Sequence, residues 1–142
     1  MLMIIIILNG SLTGDDTMHL RFLCHSHRSL IEQSSSRALG VWDLSQQKAL
    51  LFQQRGEPEK AIVAAGGALE AAEVLLTLHG QAAAADLSRF TDAACLTLRL
   101  LRGLRKPELT RRLLGGCIAT LQTQMNQRRT ATGGPRMLSP AA

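Results

Sequence analysis

Cysteine and histidine side chains cluster near the start of the chain, where they could support metal or nucleophilic chemistry. The segment MHLRFLCHSHRSL holds His19, Cys24, His25 and His27. Thiolate and imidazole groups of this kind bind zinc or copper. However, the chain has no second Cys/His pair at zinc-finger spacing, and the fourth histidine, His79, is remote. We therefore expect no metal and no other cofactor. If a metal site exists, Cys24, His25 and His27 are the candidate ligands.

Motifs of enzymatic catalysis are missing from the chain. It has no GxSxG, no phosphate-binding loop, no HExxH and no CxxC. Glu70 and Glu73 are three residues apart within a predicted helix, so the two carboxylates could share one face. Such a pair is typical of a solvated helix surface. We expect that the protein is not an enzyme.

Positive charge is concentrated in the C-terminal third. From Arg99 onward the chain has nine basic residues and the single acid Glu108, whereas the preceding part has seven basic and ten acidic residues. Such an asymmetry indicates a partner of negative charge. We expect the partner to contact a basic face made of six residues: Arg99, Arg102, Arg105, Lys106, Arg111 and Arg112. Leucines are interleaved, so a helix here could bury one side. If the third predicted helix continues through Gly103, Arg99, Arg102 and Lys106 share one side of it.

The composition predicts an all-α domain. A chain of 142 residues with only 3% aromatic residues must build its core from aliphatic and alanine side chains, which suit helix packing. The three cysteines are odd in number and far apart, which is not a disulfide framework. Cys95 and Cys117 lie in apolar helical stretches and are expected in the core. A reducing cytoplasm fits this pattern.

Two helical hairpins are predicted, at about residues 37–78 and 86–128. In the first, Gly56 has the position of a left-handed helix end, and Pro58 suits the first turn of the next helix. Ala49, Ala61 and Ala68 are small residues at the expected crossing of these two helices. The apolar face of the second helix consists of Ile62, Ala65, Leu69, Ala72 and Leu76.

The two ends of the chain lie outside this helical domain of residues 18–128. The run MLMIIIIL is too short to cross a membrane as a helix and has no basic residue before it, so we expect no membrane span and no signal peptide. Residues 1–17 are expected to be poorly integrated with the fold, and translation starting at Met18 is an alternative. Residues 129–142 predict a disordered tail.

A shift of 49 residues aligns the two hairpins with each other. Pro58-Glu59 then matches Pro107-Glu108, and Gly66-Gly67 matches Gly115-Gly116. A glycine inside a helix costs about 1 kcal/mol relative to alanine. The recurring pair therefore predicts that another segment packs closely against it. A duplicated hairpin is the building principle of α-solenoids.

The first hairpin, over about residues 42–72, resembles a tetratricopeptide repeat. In that family, small residues mark the close helix contacts, a bulky residue follows on the first helix, and a glycine occupies the turn. Here those positions are held by Ala49, Phe52, Gly56, Ala61 and Ala68. The resemblance implies a short solenoid with a concave groove for a peptide or partner helix. The competing architecture is a closed four-helix bundle.

The expected function is therefore that of a non-catalytic helical adaptor or scaffold. Its basic face would bind an acidic protein segment or peptide. The alternative is a nucleic-acid-associated regulatory protein that binds phosphates through the same face. The oligomeric state does not follow from the sequence.

Overall fold

The computed structural model describes residues 22–78 and 83–133, which form five α-helices. The predicted all-α architecture of two antiparallel helical hairpins is confirmed, with hairpins over residues 35–78 and 84–132. The last helix continues past the predicted end at residue 128. Residues 1–17 and the end of the predicted tail lie outside the described residues. The helices are α1 His25–Glu32, α2 Ser35–Gln54, α3 Pro58–Leu78, α4 Ala84–Gly103 and α5 Pro107–Thr132.

The first hairpin turn has the predicted chemistry. Gly56 has a φ of 70°, the left-handed conformation that glycine adopts without steric cost. The backbone N–H of Glu57 donates to the carbonyl of Phe52 at 2.9 Å, and that of Gly56 donates to Gln53 at 3.1 Å. These two bonds complete a Schellman motif. α3 then begins at Pro58, where a missing N–H costs no helix bond.

The second hairpin turn repeats this motif 49 residues later. The backbone N–H of Lys106 donates to Leu101 at 3.3 Å, and that of Arg105 donates to Arg102 at 3.1 Å. Arg105 has the left-handed φ of 54° at the place equivalent to Gly56. α4 therefore ends at Gly103, and Lys106 is the residue that precedes α5. The expectation that Arg99, Arg102 and Lys106 share one side of a continuous helix is wrong, because this turn reverses the chain between them.

α3 is the central helix of the fold. It packs against α2 on one side and α4 on another, and α1 packs on both α2 and α3. The main packing partner of α5 is α4. This order of contacts follows the order of the helices along the chain. All five residues of the predicted apolar face of α3 are buried: Ile62, Ala65, Leu69, Ala72 and Leu76.

Within the described part of the chain, α3 is the one helix that is long and apolar enough to cross a membrane. An 18-residue stretch of α3 has a mean hydropathy of 1.7, and 72% of that stretch is buried inside the fold. The central helix of a folded core has the same length and composition.

The small residues expected at the crossing of α2 and α3 are fully buried. Ala49, Ala61 and Ala68 are each 0% exposed and belong to the same core cluster. Phe52 lies partly buried against that cluster. A larger side chain at these alanines would have to displace a neighbouring helix.

A buried carboxylate attaches the N-terminal segment to α3. Glu70 is 2% exposed, which contradicts the expected solvated face. It accepts hydrogen bonds from the backbone N–H groups of Phe22 and of Leu23, the latter at 2.9 Å. Its other oxygen lies 3.0 Å from Arg28 Nη1. Burial of a carboxylate requires such partners, and here they come from residues more than 40 positions away in the chain.

The glycine pair of α3 explains how the same segment fits so closely. A Cβ at Gly66 would lie 2.1 Å from the ring of Phe22, so no side chain can be accommodated there without moving that ring. A Cβ at Gly67 would lie 3.3 Å from Leu23. The expectation that another segment packs against the first glycine pair is confirmed, and the segment is Phe22-Leu23.

The packing of α2 on α3 predicts that Ala68→Leu destabilises the fold. Because Ala68 has no exposed surface, the added atoms overpack the core and should lower the free energy of unfolding by about 1–3 kcal/mol. Urea unfolding followed by circular dichroism measures the change. Ala119→Leu, on the exposed side of α5, is the control and should shift stability by no more than about 0.5 kcal/mol. Equal stability of the two variants would contradict the hairpin packing described above.

The role of Glu70 predicts that Glu70→Gln costs about 1–3 kcal/mol of unfolding free energy. The amide retains the shape of the side chain but removes the negative charge that faces Arg28, and its NH₂ group can accept neither from a backbone N–H nor from the guanidinium. Urea unfolding again provides the measurement. The matched control is Glu59→Gln, because Glu59 is exposed near the start of the same helix. An unaffected Glu70→Gln variant would show that the segment from Phe22 to Arg28 is held by packing alone.

Candidate functional site

The six residues of the predicted basic face are all exposed around the α4–α5 turn. Arg99 and Arg102 project from the end of α4, whereas Arg105 and Lys106 lie in the turn itself. Arg111 and Arg112 lie near the start of α5. The turn thus places exposed cations at the adjoining ends of two helices, and Arg105, Lys106 and Arg112 line one depression there.

The charge of this basic face is largely uncompensated. Arg111 Nη2 lies 3.3 Å from Glu108 Oε1, but both side chains are more than 70% exposed, so solvent screens the pair. Within residues 22–78 and 83–133, no ion pair involves Arg99, Arg102, Arg105, Lys106 or Arg112. The positive end of the α5 dipole adds to the same field. A shallow depression of about 430 Å³ lies at this turn, with Arg105, Lys106 and Arg112 among its lining residues.

An apolar stripe on α5 was missed by sequence reasoning. It consists of Leu114, Ile118 and Met125, at the i, i+4 and i+11 spacing that places residues on one helix face, whereas Leu121 at i+7 is partly buried against the core. Leu114, Ile118 and Met125 are 45%, 47% and 56% exposed. The core-facing side of α5 is a different one, with Leu113 and Cys117 buried. The spacing signals the stripe in the sequence, but not its exposure.

The cluster of metal-ligand types does not form a metal centre in the described residues, where no three such side chains come together. Cys24 Sγ lies 3.0 Å from His27 Nδ1 and 3.2 Å from Ser26 Oγ, so these groups share hydrogen bonds. His25 is exposed at the first position of α1. His19 and His79 lie outside the described residues.

The three thiols have different environments. Cys24 is exposed, and the hydrogen bond with Ser26, followed by hydrogen bonding and charge at His27, lowers its pKa from 9.0 to about 7. Cys95 is also exposed, so its expected place in the core is wrong. Cys117 is buried, as expected, and desolvation by burial raises its pKa to about 11. Cys24 is therefore the thiol whose reactivity the fold enhances.

A groove of about 550 Å³ adjoins Cys24, between the segment at Phe22–His27 and the α2–α3 hairpin. Its wall includes Phe52 and Val63, while Lys48 and Lys60 contribute positive charge and Glu59 negative charge. The ammonium of Lys60 lies 5.7 Å from the centre of the Phe52 ring, a cation–π distance. The groove thus combines apolar and charged lining residues, and the three charged side chains leave one net positive charge.

The environment of Cys24 predicts a pH-dependent reaction with iodoacetamide. Because only the thiolate reacts, the alkylation rate should rise with pH through a midpoint of about 7. Ser26→Ala removes the largest contribution to the lowered pKa and should move the midpoint toward 9.0. Ser36→Ala, an exposed serine on α2, is the control. Rates are measured by mass spectrometry of the peptide that contains Cys24. A wild-type midpoint near 9.0 would contradict the hydrogen-bond geometry.

Comparison of this chain with protein-family models, with curated proteins and with solved structures finds no match.

Proposed function

We propose that this protein is a non-catalytic helical adaptor that binds an acidic protein segment at the α4–α5 turn. The observation that carries the proposal is a group of exposed cations at that turn with no ion pair to any residue that the structure describes: Arg99, Arg102, Arg105, Lys106 and Arg112. Arg111, with its exposed pairing to Glu108, belongs to the same surface.

The physical advantage of such a surface lies in specificity and in the rate of association. Each exposed ion pair contributes only about 0–1 kcal/mol, so the cations alone do not produce tight binding. Their summed field attracts an acidic segment, accelerates its association and disfavours basic competitors. Tight binding therefore requires apolar contacts next to the basic face, which the exposed Leu114 and Ile118 of α5 can supply.

The helical architecture suits an adaptor. Helical hairpins that pack in chain order leave faces at the end of the array, and such faces bind partner segments in solenoid proteins. The resemblance of residues 42–72 to a tetratricopeptide repeat supports the same function. On this proposal the α2–α3 hairpin provides the rigid framework, and the α4–α5 hairpin contacts the partner.

Nucleic acid is the alternative partner for the basic face. Phe90 is the aromatic residue nearest to it in sequence, and it is 2% exposed. Because Phe90 is buried, it is not available to stack on a base. A nucleic-acid contact at this face would therefore involve phosphates only. A protein carboxylate in an amphipathic segment can use both the cations and the neighbouring apolar residues. For this reason we favour an acidic protein segment.

Charge reversal at the basic face tests this function. The variant Arg99→Glu/Arg102→Glu/Lys106→Glu should lose the partner that the wild-type chain captures from the cells that produce it, at about 150 mM salt. All three side chains are exposed, so helical circular dichroism should remain unchanged. Mass spectrometry of the captured protein, with mapping of its contact region, identifies the partner, whose binding segment should be acidic.

A second triple variant controls for net charge. Arg37→Glu/Lys48→Glu/Arg55→Glu changes the charge by the same amount at exposed positions away from the α4–α5 turn, and it should retain the partner. Equal capture by both variants would contradict the proposal. Salt-sensitive retention of duplex DNA, lost only in the first variant and without a protein partner, would favour nucleic acid instead.

A further inference from the structure

A thiol and an imidazole lie together in the wall of the groove between the Phe22–His27 segment and the α2–α3 hairpin. Cys24 Sγ is 3.0 Å from His27 Nδ1, and both residues line the groove. Cys24 is exposed, and no disulfide links it to Cys95 or Cys117. A nucleophile within hydrogen-bond reach of a base is the arrangement that activates a thiol. The groove thus combines a reactive sulfur with a cavity.

The cavity has the size of a small-molecule site. Its volume of about 550 Å³ lies within the range of about 300–1,000 Å³ that is typical of ligand pockets. Phe52 and Val63 supply apolar wall and are themselves partly buried. A molecule of tripeptide size therefore fits beside Cys24.

The charges of the groove specify what kind of molecule it fits. Lys48, Lys60 and Glu59 line it, which gives two cations and one anion. Within residues 22–78 and 83–133, no ion pair involves Lys48 or Glu59. Lys60 Nζ lies 3.1 Å from Glu57 Oε2, but the lysine side chain is 66% exposed, so solvent screens this pair and another carboxylate can replace it. The pattern complements a ligand with two carboxylates and one ammonium group.

We propose that Cys24 is a site of reversible S-thiolation by glutathione disulfide, with the transferred tripeptide lying in this groove. The glutathionyl group has the two carboxylates and one ammonium group that Lys48, Lys60 and Glu59 complement. Glutathione caps exposed, activated cysteines reversibly. The modification is separate from partner binding at the α4–α5 turn and does not depend on it.

The reaction is a thiol–disulfide exchange. The thiolate of Cys24 attacks one sulfur of glutathione disulfide, so a bond forms between Cys24 Sγ and that sulfur while the original S–S bond breaks. The Cys24 sulfur is oxidised, and the leaving glutathione sulfur is reduced to a thiolate. When its ring proton is on Nε2, His27 accepts the Cys24 proton at Nδ1 and returns it to the leaving thiolate. Attack by a second glutathione thiol reverses the modification.

Thiolation of the full chain by glutathione disulfide and by the neutral hydroxyethyl disulfide tests the proposal. Mass spectrometry of the peptides that contain Cys24 and Cys95 gives both rates in one sample, and Cys95 is a second exposed thiol for reference. The ratio of the Cys24 rate to the Cys95 rate should be about fivefold or more higher with glutathione disulfide at low salt, because the groove attracts only the charged reagent. Equal ratios with the two reagents would overturn the proposal.

Two double variants separate the groove from net charge. Lys48→Glu/Lys60→Glu should slow glutathione disulfide at Cys24 about fivefold or more and change the rate with hydroxyethyl disulfide by less than about twofold. Arg99→Glu/Arg102→Glu makes the same change of charge on α4 and should leave both rates as in the wild type. All four side chains are exposed, so helical circular dichroism should not change. Equal slowing of glutathione disulfide by the two variants would contradict binding in the groove.

The base has a test of its own. His27→Ala removes the proton acceptor and keeps the three charged lining residues, so it should slow Cys24 with both disulfides by a similar factor. His27 is exposed, and the helical circular dichroism of the variant should match that of the wild type. A His27→Ala chain that is thiolated at the wild-type rate would overturn the pairing of Cys24 with a base.

Discussion

The enclosure of α3 is the constraint on which the rest of the structure depends. Its residues are apolar or small on nearly every side, so the helix is stable only when neighbours cover each side. α2 and α4 cover two sides, and the segment that leads into α1 covers a third through the glycine pair at Gly66-Gly67. The carboxylate of Glu70 would be costly in such a place. It is accommodated because Arg28 and two backbone N–H groups meet it.

The second hairpin repeats the turn of the first, but among the described residues its last helix is more exposed. The two hairpin turns have the same hydrogen bonds and the same left-handed position, at Gly56 and Arg105. Both hairpins therefore present an equivalent helix face to whatever follows them. On α3 that face is buried, at Ala65, Leu69 and Leu76, whereas on α5 the equivalent residues Leu114, Ile118 and Met125 are exposed. The basic face at the α4–α5 turn thus lies close in sequence to exposed apolar residues of α5.

Local signals in the sequence were sufficient for the helices and turns, because capping, proline and glycine act within a few residues. The burial of Glu70 could not be predicted, since its partners lie far away in the chain. Likewise Ala38 is buried while neighbouring Leu39 is 38% exposed, because adjacent residues of a helix lie on different faces and only one of these faces meets the core. The exposure of the basic face followed from its composition. The exposure of Ile118 could not be predicted from the sequence, because apolar residues at helical spacing are expected to be buried by a neighbouring helix.

Native-state hydrogen exchange measures directly whether α3 is the enclosed centre and α5 the open edge. Amides of an enclosed helix exchange only when the whole molecule unfolds, whereas an edge helix opens locally at lower free energy. We expect the amides of Ala65–Leu76 to exchange with the full free energy of unfolding. The amides of Leu114–Met125 should exchange with a smaller free energy of opening. Equal protection of the two helices in the free protein would contradict the enclosure of α3 and the exposure of α5.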